Sequence, residues 1–303
     1  MSDRRLGTVN RLPLGLLSRR RGRGQPKRRG HWPHVPICLL AFLLARCGEP
    51  MATPEPVYLG AAGSMTMTPL IADLAEAFRE RSPHIELGVV GLGTRFGLQA
   101  LRSGEADLAL ASWLPPEPGD QADLTEASGG AAALSGLMLD PNWRASAIAR
   151  DGVAIIVHPS NPVRGVGLLQ LKDLFSGRAY EWSAVGGPES QGQVQPVSRE
   201  AGSGSRAAFE VLVMEEMPVT PRAVLVPSAQ GVVDYVAEHP QSIGYVSMAL
   251  VTREVKVLQI EGELPTPSSV GQGIYPLSRE LWMVATESPP ESVEEFLEFA
   301  LSP

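Results

Sequence analysis

Cysteine is nearly absent from this 303-residue chain: Cys38 and Cys47 are the two it has, and none follows Cys47. A disulfide framework and a thiolate metal site are thereby excluded from most of its length. Histidine is almost as scarce, with five residues. Apart from His31 and His34, which lie in the basic N-terminal stretch, the histidines (His84, His158 and His239) stand far apart, and there is no i, i+4 pair, the pattern of surface or capping residues rather than metal ligands. Long apolar runs are missing too. The run Val35 to Ala45 has 11 residues, against roughly 20 for a bilayer span. Basic residues are short after Cys47, where 15 Lys and Arg face 32 Asp and Glu for a formal charge of −17. Such a surface gives no general attraction to nucleic acid or anionic lipid, so any bound anion must be held by local dipoles and a few placed cations.

The missing bases are at the other end. Residues 1–34 carry nine Arg and one Lys against Asp3 alone. A basic stretch followed by a short apolar one reads as an export signal over residues 1–47, with a disordered basic tail as the plainer alternative. Leu44-Ala45-Arg46-Cys47 resembles a bacterial lipoprotein cleavage box, although Arg46 stands where Gly or Ala is usual. It makes Cys47 a candidate for lipidation, with residues 48–56 as a tether and a periplasmic or otherwise extracytoplasmic location.

Beyond the tether the pattern alternates. Val57–Gly60 reads as a strand, and Thr68–Arg81 as a helix with Leu70, Leu74, Ala77 and Phe78 on one face. Ile85–Val90, Phe96–Ser103 and Leu108–Ala111 continue as strand, helix and strand, the β-α-β-α-β unit of a doubly wound sheet. Pro115–Gly130 reads as a surface loop. A second set of elements starts at Val153–His158, with helices near Leu169–Phe175, Ser205–Met214 and Ala229–His239 and a strand at Ile243–Val246. Val255–Leu258, Leu281–Ala285 and the helix Ser292–Leu301 close the chain.

Three places repeat one motif, in which a strand ends, glycines and hydroxyl residues follow, and a helix begins. They are Gly60-Ala61-Ala62-Gly63-Ser64-Met65-Thr66, Gly91-Leu92-Gly93-Thr94-Arg95-Phe96-Gly97, and Arg199-Glu200-Ala201-Gly202-Ser203-Gly204-Ser205. Free N–H groups at a helix start, its positive dipole end and added hydroxyl donors make an anion cradle. Ser and Thr are also ordinary helix caps, so one such turn alone implies nothing more than capping. Three together, one with an arginine at its head, point to a ligand.

These motifs, together with Asp151-Gly152-Val153-Ala154, Asn161-Pro162, Leu174-Phe175-Ser176-Gly177, Trp182-Ser183-Ala184-Val185-Gly186-Gly187, Ser242-Ile243-Gly244-Tyr245-Val246 and Tyr275-Pro276-Leu277-Ser278-Arg279, resemble the PstS-type phosphate-binding proteins of bacterial ABC importers. The resemblance covers about Val57 to Ala285. It implies an α/β, two-lobed periplasmic-binding-protein fold, each lobe a mixed, mainly parallel sheet flanked by helices, with the ligand cleft between lobes. Lobe 1 is expected at 57–148 and 247–303 and lobe 2 at 149–246, with crossovers near 147–152 and 244–249.

The same resemblance implies a ligand set for inorganic phosphate or a related oxyanion, with no cofactor, no metal and no catalytic residue. Arg199 corresponds to the arginine that pairs with phosphate. Ser203, Gly204 and Ser205 supply hydroxyls and amides, Thr94 a hydroxyl of the second loop, Thr66 a contact of the first, with Ser64 beside it and Ser112 after the third strand. Three positions depart: Met65 where a hydroxyl is usual, Trp113 where an Asp or Arg is usual, and Ala201 where an acid steadies the arginine, a task open to Glu200. Arg95 replaces a small residue and adds positive charge to the cleft. Indole is a donor only, so Trp113 cannot accept the proton of hydrogen phosphate. Implied partners are ABC permease subunits, for a monomer that binds no nucleic acid.

Other readings are weaker. Gly91-Leu92-Gly93 could open a dinucleotide fingerprint, but Phe96 occupies the place of the third glycine. Gly202-Ser203-Gly204-Ser205 is not a G-x-S-x-G nucleophile elbow. Trp182 reads as space-filling, and Trp113 as either packing or ligand contact. A sensing module with altered or lost anion binding remains the alternative, favoured by Met65, Trp113 and Ala201.

Overall fold

The computed structural model of the chain describes residues 55–114 and 140–302. The expected export segment, Cys47, nearly all of the tether and the loop Pro115–Gly130 lie outside those residues. Strands run in chain order as β1 (Val57–Gly63), β2 (Ile85–Gly91), β3 (Leu108–Ala111), β4 (Trp143–Val157), β5 (Gly165–Val166), β6 (Gln195–Arg199), β7 (Val224–Val226), β8 (Ser242–Ser247), β9 (Lys256–Val257), β10 (Gln259–Ile260) and β11 (Ser278–Thr286). The α-helices are α1 (Thr68–Arg81), α2 (Thr94–Ser103), α3 (Leu168–Ser176), α4 (Gly204–Phe209), α5 (Ala229–Glu238), α6 (Pro267–Gly271) and α7 (Glu291–Leu301). None of the described helices is long and apolar enough to cross a membrane.

Local chemistry explains most of these elements. Pro69 sits in the first turn of α1, where its missing N–H costs nothing, and Ile71 and Phe78, two turns apart, are the buried face. β3 reads Leu-Ala-Leu-Ala and is buried throughout, as a central strand covered on both faces must be. α4 is shorter than the expected Ser205–Met214 helix. It passes into a π-turn at Glu210–Met214, where the buried Glu210 accepts from Arg206 Nε at 2.8 Å.

Nine strands form one mixed sheet in the order β2-β1-β3-β11-β4-β8-β6-β7, with β9 also paired to β4. β1 is parallel to β2 and β3, and β6 is parallel to β7 and β8, while β11 and β4 run antiparallel to their neighbours. β4 joins the two parallel groups. From Trp143 to Gly152 it pairs with β11, and from Val153 to Val157 with β8.

Separate cores flank this strand. Leu59, Ile71, Phe78, Leu110, Met283 and Phe296 belong to the first, where Phe78 meets Phe296 edge-on at 5.2 Å. Along β4 the two-residue period then divides the second half of the molecule. Val153, Ile155 and Val157 face a core with Phe175, Phe209 and Tyr245, while Ala154 and Ile156 face one with Val197 and Val232. The fold is a two-lobed α/β architecture whose one mixed sheet is shared through β4, with a small parallel pair, β5 and β10, beside it.

Residues after 247, expected with lobe 1, do not pack there at once. Leu258, Ile260, Val270, Tyr275 and Leu277 share the core of Val153 and Phe175. The chain rejoins the first core only with β11, where Ser278 pairs with Gly152. Leu277 is thus the last residue of this stretch in the second core, and Ser278 opens the strand that pairs along β4. β8 ends at Ser247 in a short 3-10 turn, and β9 then returns to pair with β4.

Candidate functional site

The decisive question about each hydroxyl loop is whether its Ser or Thr merely caps a helix. In the first, the cap position of α1 is Met67, which makes no side-chain cap bond. Ser64 and Thr66 are buried beside it: Ser64 Oγ donates to Ser112 Oγ at 2.9 Å, and Thr66 Oγ1 lies 3.3 Å from Ser205 Oγ. In the second, the cap is Gly93 at φ 101°, a left-handed value that favours glycine, and it has no side chain to offer. Thr94 is fully buried and its Oγ1 accepts from Ser112 N at 3.2 Å. Only Ser203, in the third loop, caps in the ordinary way, accepting from Arg206 N at 3.3 Å. Two of the three loops thus hold buried hydroxyls that no helix end requires.

Those hydroxyls converge. Ser64 and Ser112 follow the ends of β1 and β3, neighbours in the sheet, and Thr94 starts α2 against them. From the other half, Gly204 closes on the group. A side-chain carbon at Gly204 would stand 2.3 Å from Thr94 Oγ1 and 2.5 Å from Ser112 Oγ, so any side chain there displaces those hydroxyls. Arg95 N donates to Gly202 O at 3.4 Å, and the stem of Arg95 lies over Gly202 while its side chain remains exposed. The expected site residues Ser64, Thr66, Thr94, Ser112, Gly204 and Ser205 are thus one cluster, with Arg95 at its rim.

Arg199 is buried at the end of β6, and its fork grips the next residue: Nε donates to Glu200 Oε2 at 2.8 Å and Nη2 to Oε1 at 2.9 Å. Glu200 thus takes the steadying task that Ala201 cannot perform. The loop rests on an aromatic stack in which Phe209 lies flat on Tyr245 at 4.2 Å and Phe175 meets Phe209 at 4.5 Å. Tyr245 Oη is 2.7 Å from Ser198 Oγ and accepts from Arg199 N at 3.3 Å. Burial pushes its phenol up to about 12, so it stays neutral as a hydrogen-bonding prop.

Trp113 is half-buried and packs against two clusters, one with Phe175 and Phe209, the other with Leu98, Ala207 and Val284. It bridges elements of both halves. Met65 has its Cγ near Gly91 at the start of the second loop. Trp182 is fully buried and donates Nε1–H to Gln241 O at 3.2 Å, a structural position.

One part of the cluster was not among the expected site residues. Arg279 on β11 is buried, donating Nε and Nη2 to Asp151 Oδ2 at 3.0 and 2.7 Å and Nη1 to Ser205 Oγ at 3.1 Å. Asp151 and Arg279 are direct cross-strand partners in the ladder between β4 and β11. Ser247 Oγ donates to the other carboxylate oxygen at 2.7 Å. The signal in the sequence was the stretch around each residue; what hid them was 128 positions of separation.

A model of the PBP superfamily domain matches residues 50–303. The phosphate-binding protein PstS of Staphylococcus epidermidis is 26% identical over 251 residues, covering 79% of this chain and 73% of that protein. An ABC-type phosphate transport receptor from Vibrio cholerae, 28% identical, superposes with a TM-score of 0.64 over 80% of this chain and 93% of its own. A crystal structure with bound phosphate from Clostridium perfringens, 27% identical, reaches 0.68 over 81% and 93%.

Proposed function

Because this chain belongs to the PBP superfamily domain family, we propose that it captures inorganic phosphate, or a tetrahedral oxyanion of the same size, for an ABC importer by hinge closure between its lobes. The observation that carries this reading is the convergence of Ser64, Thr66, Thr94, Ser112 and Ser205 in one buried cluster around Gly204, with hydroxyls that cap no helix. Amides at the starts of α2 and α4 add donors and the positive dipole ends. Arg199, whose Nε and Nη2 are held by Glu200, is the guanidinium we assign to the anion when it binds.

The lobes we assign are 57–148 with 278–303, and 149–277, hinged where β4 changes cores and where the chain enters β11. The protein acts as a receptor and not as an enzyme. Among the described residues no hydrogen bond joins a histidine to a serine of the cluster, so an activated nucleophile has no support here. We place it outside the cytoplasmic membrane, tethered through Cys47, as a monomer that delivers its anion to permease subunits. The basic N-terminus and the 11-residue apolar run support export. The charge of −17 after Cys47 disfavours nucleic acid as a partner.

Isothermal titration with phosphate, and with sulfate and molybdate as comparators, tests the reading. The expected outcome is saturable phosphate heat that Gly204→Ala weakens by at least about a hundredfold, since the added carbon blocks Thr94 and Ser112. A folded protein giving no heat with any of the three anions would sink the transport reading and favour a sensing module.

A further inference from the structure

Arg279 carries five N–H donors and no acceptor. Three of its donor bonds are fixed, two to Asp151 and one to Ser205, and Ser247 holds the remaining Asp151 oxygen. The guanidinium is therefore locked in one orientation, within a cluster where Arg279 and Asp151 side chains are each 4% exposed. Resting on the phosphate-capture reading, we propose that Arg279 is a positioning residue of the anion site. It acts through Ser205 and sets the direction of the Ser205–Thr66 hydroxyl pair, so that a proton donor is presented to the anion.

The argument follows from the count of protons. A serine hydroxyl has one proton and two lone pairs. Arg279 Nη1 occupies one lone pair of Ser205. A cationic donor on that oxygen favours passing the hydroxyl proton onward, because successive bonds in one direction polarise each other. The acceptor in reach is Thr66 Oγ1 at 3.3 Å. Thr66 then keeps its own proton free for an anion oxygen.

Asp151 neutralises the guanidinium, so the influence of Arg279 reaches the site through bond direction more than through net charge. The chain Arg279–Ser205–Thr66 also draws on β11, α4 and the loop after β1, elements of both halves. It is complete only with the halves together. Arg199 differs, since two donors of its fork are committed to Glu200 and its bonds reach no cluster hydroxyl among the described residues.

A double-mutant cycle on phosphate affinity, measured by titration calorimetry, tests this. Ser205→Ala and Arg279→Lys should each weaken binding about tenfold, the scale of one charge-assisted hydrogen bond, and the double variant should lose no more than either alone. Thermal unfolding checks that each variant is folded. If Arg279→Lys does not fold, the cycle is repeated with Asp151→Asn combined with Arg279→Gln, which removes both charges together. Additive losses of about a hundredfold, or unchanged affinity in a folded Arg279 variant, overturn the proposal and leave phosphate capture standing. A wild-type protein that binds neither phosphate, sulfate nor molybdate overturns both.

Discussion

Arg199 and Arg279 are both buried arginines, yet their carboxylate partners are of opposite kinds. Arg199 is held by the next residue in the chain, Glu200, whose side chain is 36% exposed. Arg279 is held by Asp151 from another strand, and both side chains are 4% exposed. The first pair sits at the edge of water and sets the orientation of one loop. The second sits in the ladder where β4 passes from one core to the other, and ties the crossover to Ser205. A charge pair in water contributes little and is easily replaced, whereas one taken out of water makes each partner costly to remove.

The largest expected effect breaks this comparison directly. Asp151→Ala leaves a buried guanidinium without a counter-charge and should lower stability by about 3–5 kcal/mol in urea denaturation. Glu200→Ala removes a carboxylate that is 36% exposed and that water can partly replace, so it should cost less than Asp151→Ala, although Arg199 itself is buried. Equal losses would show that the two pairs do the same work.

Next in size is the alkaline limb of stability, which sharpens the contrast between the two supports of the site. Tyr245, under the Arg199 loop, holds its proton up to about 12 in the folded protein, against 10 for the ordinary phenol. Between those values the unfolded chain has released the proton and the folded one has not. Its contribution is therefore full below pH 10 and lost as pH rises towards 12. Unfolding midpoints should fall across that window. Tyr245→Phe should flatten the part of the slope that Tyr245 provides, leaving the share of Tyr275, whose phenol burial also raises. An unaltered slope in that variant would remove Tyr245 as the cause.

The smallest effect separates a capping serine from a site serine. Ser203→Ala removes the cap of α4 and should cost about 1 kcal/mol of stability. Ser112→Ala, which caps nothing, should instead show its effect on phosphate affinity, with thermal unfolding and titration read side by side. If Ser112→Ala acts on stability alone, the hydroxyl cluster is scaffolding.

Much of this was legible in sequence because it is local. The alternation from β1 to β3 follows from apolar periodicity, and the two hydroxyl loops there sit where strands end and helices start. The stretch Trp143–Arg150 was not read as a strand. Its residues are half-exposed or exposed and lack a clear apolar face; β11 makes them a strand by pairing with them. Glu200 in the place of Ala201 could be read from adjacency alone. The pairing of Lys256–Ile260 was not legible, because its two short strands have partners, β4 and β5, about a hundred residues back.

By itself the sequence determined the export-like N-terminus, the acidic body, the α/β alternation and three candidate anion loops, since each rests on residues within a dozen positions of one another. Tertiary structure alone decided which hydroxyls cap helices and which face a common cluster, that a side chain at position 204 would displace two of them, and that Arg279 joins Asp151 and Ser205. Those are meetings between distant segments. Packing fixes them, and no local pattern encodes the distance.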